Sequence, residues 1–119
     1  MASKPDPQPL SDSEYASKTA AVLARVEATV DRWLEDDIID VDTHRTGGLL
    51  ELVFPDGSKI VVNTQPPLKE LWLAGRAGGL HFYWAGDAWR DTRDQREFFA
   101  SLSTLASEQA GRPLRFEND

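Results

Sequence analysis

Leu49-Leu-Glu-Leu-Val-Phe-Pro-Asp-Gly-Ser-Lys-Ile-Val-Val-Asn63 decides the fold class. Two runs rich in β-branched and other large apolar residues, 49–54 and 58–63, flank Pro55-Asp-Gly57. Proline presets one turn angle and glycine tolerates the other, so the segment predicts an antiparallel hairpin. On its N-terminal side Gly47-Gly48 marks another turn. Before that, Ile39, Val41 and Thr43 alternate with Asp40, Asp42 and His44, which predicts an edge-type strand carrying an acidic surface. On the C-terminal side Pro66-Pro67 breaks the pattern ahead of a strand at 68–74, Gly78-Gly79 precedes one at 80–84, and Ala85-Gly-Asp87 permits a short return strand around Trp89-Arg90.

The two ends of the chain read as helices. Ser11-Asp-Ser-Glu14 is a capping box, and a helix is expected from it to about Asp36, with Leu23, Val26, Val30, Trp33 and Leu34 as its apolar positions. Thr92 is expected to cap a second helix over about 93–109, with Phe98, Phe99, Leu102 and Leu105 on its apolar face and Gly111 as its stop. Residues 113–116 read as an extended tail. A helix, about six strands joined by hairpin-length connections, and a second helix imply an α+β fold, an antiparallel sheet covered on one face by two helices. The expected domain spans 11–116, between a mobile, Pro-rich N-terminal tail at 1–10 and a short C-terminal tail at 117–119.

Charge is distributed unevenly along this frame. Residues 1–42 hold ten acids against Lys4, Lys18, Arg25 and Arg32, whereas residues 43–119 hold ten acids against nine bases. Glu27, Asp31 and Glu35 fall at i, i+4 and i+8 of the first helix, and Asp36, Asp37, Asp40 and Asp42 continue the series, with His44 at its end as a candidate nitrogen ligand. Carboxylate oxygens suit hard cations such as iron, magnesium, manganese and calcium. A convex column of them would bind weakly and tolerate several cations. Read from the residues alone, it is more readily a solvated face that aids solubility than a metal site, and the same charges could steer a basic partner.

Composition excludes several functions. The chain has no cysteine, so it forms no disulfide, no thiolate metal site and no covalent sulfur carrier. A net charge of −7 argues against nucleic acid. With no apolar run near the length of a membrane span and no signal-peptide pattern at the start, the reading is a cytoplasmic protein without a membrane role.

Trp72 sits in Leu68-Lys-Glu-Leu-Trp-Leu73, on the opposite side of the strand from Leu71 and Leu73. It is either core or an exposed binding anchor. Asn63 and Gln65 are ordinary strand-end polars that gain interest from its neighbourhood. His81, Trp33, Trp84 and Trp89 read as structural.

Gly57-Ser-Lys-Ile-Val-Val-Asn63, Gln65-Pro-Pro-Leu-Lys-Glu-Leu-Trp-Leu-Ala74, Gly78-Gly-Leu-His-Phe82 and Gly86-Asp-Ala-Trp89 resemble the bacterial frataxin (CyaY) family in wording and spacing. The resemblance covers about 11–116. It implies an α-β sandwich that binds iron weakly on an acidic ridge and modulates iron–sulfur cluster assembly by docking on the cysteine desulfurase and its scaffold protein. By position the ridge falls on Glu27, Asp31, Glu35, Asp36, Asp37, Asp40 and Asp42, and the sheet-surface contacts on Asn63, Gln65 and Trp72. The chain departs from the family where Arg32, Leu34 and Ile38 interrupt the acids. The expectation is therefore a non-enzymatic, iron-binding adaptor and regulator, monomeric without iron. The alternatives are an iron-storing, ferroxidase-type oligomer or a general divalent-cation buffer, with an acid-base enzyme using paired carboxylates ranked last.

Overall fold

A computed structural model of the chain describes residues 8–118. Helix α1 (Asp12–Glu35) is followed by strands β1 (Asp42–Thr46), β2 (Leu49–Val53), β3 (Lys59–Gln65), β4 (Glu70–Gly75), β5 (Gly78–Trp84) and β6 (Trp89–Asp91), and then by helix α2 (Phe98–Ala110). The strands form one sheet in chain order, each antiparallel to the next. The expected α+β architecture is the observed one.

Alternation along the strands creates two unlike faces. Leu50 and Leu52 of β2, Ile60 and Val62 of β3, Leu71 and Leu73 of β4 and Phe82 of β5 are buried in one cluster with Leu23, Val26, Val30 and Trp33 of α1 and Phe98, Leu102 and Leu105 of α2. The helices therefore cover this face, and residues one position out of phase line the other.

Ser11 and Glu14 form the expected capping box at the start of α1. Its end is a Schellman closure. Asp37 takes a left-handed conformation (φ 57°), its N–H donates to Leu34 O at 3.1 Å, and the Ile38 N–H donates to Trp33 O at 2.8 Å. This reversal explains why the first strand begins at Asp42 rather than 39: Ile38 and Ile39 pack against the core and Val41 is buried, while Asp40 lies on the connection.

Two other boundaries differ from the sequence reading. Pro66–Leu68 forms a 3-10 turn, closed by Lys69 in a left-handed conformation, so β4 starts at Glu70. Helix α2 starts at Phe98, capped by the Glu97 carboxylate, and Thr92 is not its cap. Between them, the Asp91 and Asp94 carboxylates accept from the N–H groups of Arg93 and Arg96, and Gln95 is left-handed. Side-chain acceptors that satisfy nearby backbone donors in this way compete with helix formation. Gly111 stops α2 as expected, at φ 69°.

The tails also carry contacts. Residues 1–7 and 119 lie outside the described residues. Gln8, part of the stretch expected to be a mobile tail, donates its N–H to Trp84 O, and Leu10 O accepts from Lys69. At the other end Leu114 and Phe116 are buried, Phe116 against Trp33 with ring centroids 4.7 Å apart. At the β2–β3 hairpin, hydrogen bonds from the Ser58 side chain and N–H, and then from Arg76, hold the pKa of the Asp56 carboxyl down to about 2.

Tyr15 joins the helix layer to the sheet. Its hydroxyl donates to Glu70 O at 2.5 Å and accepts from Gln65 N–H at 2.9 Å, and burial raises its pKa. Removing the hydroxyl leaves a part-buried carbonyl and amide without partners. Tyr15→Phe is expected to lower unfolding stability by about 1–3 kcal/mol, measured by urea denaturation.

A candidate cation ridge and an outer aromatic row

The acids of the ridge come from three kinds of backbone. Glu27, Asp31 and Glu35 project from α1, Asp36 and Asp37 form its C-terminal closure, and Asp40 lies on the connection to β1. Asp42 and His44 share the outer row of β1, opposite Val53 and Glu51 respectively. All but Glu27 are exposed. The series is continuous along the surface path of the chain, but it diverges. Among the described residues no three His, Asp or Glu side chains stand close enough together to hold one ion. His44 lies on the sheet side and is not brought to the helical acids.

Glu27 differs from the rest. Its Oε1 accepts from Arg45 NH1 of β1 at 2.7 Å, an ion pair across the helix and the edge strand. The alternation along β1 puts Arg45 on the inner row, opposite buried Leu50, and so directs it toward α1. The sequence reading did not find this pair, because Arg45 lies 18 residues away and only the register of β1 brings it back.

The electrostatics of the helix end are unfavourable by themselves. Glu35, Asp36 and Asp37 stand at the negative pole of the α1 dipole, and the last turn holds one base, Arg32. Asp31, Glu35, Asp36, Asp37, Asp40 and Asp42 make no side-chain ion pair among the described residues. A cation or a basic surface placed here would be stabilised by unneutralised charge from several residues and by the aligned peptide dipoles together.

A second feature occupies the outer face of the sheet. Leu49, Asn63, Trp72 and His81 stand in one cross-strand row, and Gln65, Glu70, Tyr83 and Arg90 form the neighbouring row. The expected trio of Asn63, Gln65 and Trp72 is thus on one surface. Trp72 is half-buried, lies flat on the exposed His81 ring (4.1 Å between centroids, 9° between planes) and donates its Nε1–H to Glu70 Oε1 at 2.9 Å. Contacts on both its face and its nitrogen hold the indole in one orientation. His81, read as structural from the sequence, belongs to this surface. The signal was present: Leu80 and Phe82 face inward around it, as Leu71 and Leu73 do around Trp72.

No helix among the described residues is long and apolar enough to cross a membrane.

Comparison with known proteins agrees with this fold. A family model described as a frataxin-like domain matches residues 8–112. Proteins named iron-sulfur cluster assembly protein CyaY from Burkholderia mallei (strain SAVP1) and Burkholderia pseudomallei (strain K96243) are each 50% identical over 107 residues, covering 90% of this chain and 98% of theirs. Among solved structures, a frataxin from Psychromonas ingrahamii superposes with a TM-score of 0.79 at 29% identity, covering 92% of this chain and all of that one. Trimeric frataxin from the yeast Saccharomyces cerevisiae, complexed with ferrous, shares the fold at a TM-score of 0.66 and 20% identity, over 92% of this chain and 94% of that one. With the two-helix, six-strand architecture and the sheet-surface motif in place, the chain belongs to the frataxin-like family.

Proposed function

We propose that this protein is an iron-binding adaptor that regulates iron–sulfur cluster assembly by docking on the cysteine desulfurase and its scaffold. The observation that carries the reading is the clustering of Glu35, Asp36 and Asp37 at the negative end of α1 without side-chain ion pairs among the described residues. Folding alone does not call for acids at this place, and binding a cation or a basic partner does. The naming of relatives at 50% identity as iron-sulfur cluster assembly proteins supports the pathway.

Iron enters as cargo or signal. The ridge carboxylates are hard oxygen ligands, exposed and divergent, so ferrous or ferric iron is held weakly and exchanges readily, with other divalent cations as competitors. A cluster scaffold holds its iron with thiolates, and a chain without cysteine acts on a protein that has them. The ridge carboxylates attract a basic surface of the desulfurase, raising the association rate in a salt-dependent manner. Trp72, held by Glu70 and His81 beside Asn63 and Gln65, supplies the fixed aromatic anchor for the scaffold. Because iron and the basic partner use the same acids, iron occupancy alters desulfurase engagement. The work is done by non-covalent binding in the cytoplasm, without a catalytic residue.

Three results are expected. In anaerobic assays of desulfurase with scaffold, this protein changes the rate of sulfide release in a ferrous-iron-dependent way, and Asp31→Lys with Asp36→Lys removes the effect. An unchanged rate at every iron level, with the protein folded, overturns the regulatory reading. Trp72→Ala weakens scaffold binding by about 30-fold in calorimetry, as expected for a central aromatic contact worth about 2 kcal/mol. Glu35→Gln and Asp36→Asn each raise unfolding stability by about 0.3–1 kcal/mol in urea denaturation, through relief of the helix dipole, while weakening iron binding.

A further inference from the structure

Of the seven ridge acids, Glu27 is the one already bound to a cation, and that cation is part of the protein. The Arg45 guanidinium reaches it at 2.7 Å from the edge strand, and the two side chains retain only about a third of their exposure (36% for Arg45, 31% for Glu27). Arg45 lines the groove between α1 and the β1–β2 turn, together with Leu23, Gly47 and Gly48. Its direction is set by the β1 register, so the contact is built into the sheet. Asp31, one helical turn on from Glu27, makes no ion pair among the described residues, and neither do the acids beyond it.

Arg45 holds Oε1 of Glu27, so while the pair stands a metal ion finds only Oε2, with its charge already offset by the guanidinium, and Glu27 cannot ligate through both oxygens without breaking the pair. Exposed carboxylates bind cations weakly, so even the modest free energy of a surface ion pair is comparable to what one added ligand contributes. We propose that Arg45 is an internal competitor for the first carboxylate of the ridge. It holds Glu27 out of the cation-binding set, confines iron to the acids from Asp31 onward, and keeps affinity low. This rests on the ridge being the iron site. It adds a residue that sets the site's extent and strength, and it assigns Glu27 to a structural clasp between α1 and β1.

The test is a double-mutant cycle on ferrous iron affinity, measured by anaerobic calorimetry with folding checked by circular dichroism. Arg45→Gln is expected to tighten binding by about two- to fivefold, the cost of an exposed ion pair converted to affinity. Glu27→Gln, which leaves an amide oxygen for Arg45, is expected to change the wild-type affinity by less than about twofold, but to remove the gain when added to Arg45→Gln. Arg76→Gln, which removes a positive charge paired with Asp56 rather than with a ridge acid, controls for net charge and should show no comparable gain. If Glu27→Gln weakens wild-type binding as much as Asp31→Asn does, Arg45 does not exclude Glu27 and the inference fails while the ridge reading stands. A gain that survives in the Arg45→Gln, Glu27→Gln pair, or that Arg76→Gln reproduces, reduces the effect to net charge and also overturns the inference. Absence of iron binding in both wild type and Arg45→Gln overturns the ridge reading together with it.

Discussion

Leu50, Leu52, Ile60, Val62, Leu71, Leu73 and Phe82 are sealed under α1 and α2, and this one-sided burial constrains the rest of the molecule. A strand alternates its side chains, so each buried residue fixes the outward direction of its neighbours. Burial of Leu71 and Leu73 turns Trp72 out, burial of Leu80 and Phe82 around His81 does the same, and the antiparallel register then sets Asn63, Trp72 and His81 side by side. A slip of one residue in β4 would bury Trp72 and expose two leucines. The outer row of Asn63, Trp72 and His81 is thus held in place by the free energy of the core on the other side of the sheet.

The same constraint makes the end of α1 costly. Tyr15 near its start and Trp33 near its end tie the helix to the sheet and to Phe116, and the Schellman closure at Asp37 stops it at a fixed point. With its termination fixed, the dipole end cannot move away from Glu35, Asp36 and Asp37. Asp37 shows the conflict in one residue: its backbone is left-handed, a conformation that glycine or asparagine adopts with less cost, yet the position carries a charge. Sequence choices that work against local stability concentrate where binding is the compensating gain.

How much of this was legible in the sequence follows from the range of the interactions involved. The hairpin at Pro55-Asp-Gly57, the capping box at Ser11 and Glu14 and the Gly111 stop depend on neighbours a few residues apart, and each was readable, as was the opposition of Trp72 to Leu71 and Leu73, though not which of the two sides is the core. The start of α2 was not, because Asp91 and Asp94 use their carboxylates to hold a turn where the composition alone allows a helix. The start of β1 was misplaced because the apolar residues 38, 39 and 41 look like strand but serve to plug the helix end. The pairing of Glu27 with Arg45 and the stacking of His81 on Trp72 required the sheet register, which composition does not encode.

The two proposed surfaces lie on different parts of the sheet, and their separation bears on how they act. Asp42 and His44 stand on β1 and Trp72 on β4, three strand spacings apart, about 14 Å at the usual interstrand distance. That distance exceeds the screening length of roughly 8 Å at physiological salt, so charge on the ridge has little direct influence on Trp72 through solvent. A protein of this size can therefore present the ridge to one partner and the aromatic row to another at once. Any influence of iron on the second contact must then pass through the first partner's position rather than through the sheet, whose strands are locked by a continuous ladder and a filled core. The adaptor action proposed for this protein needs a rigid body with two separate surfaces, and a sheet buried on one side is such a body.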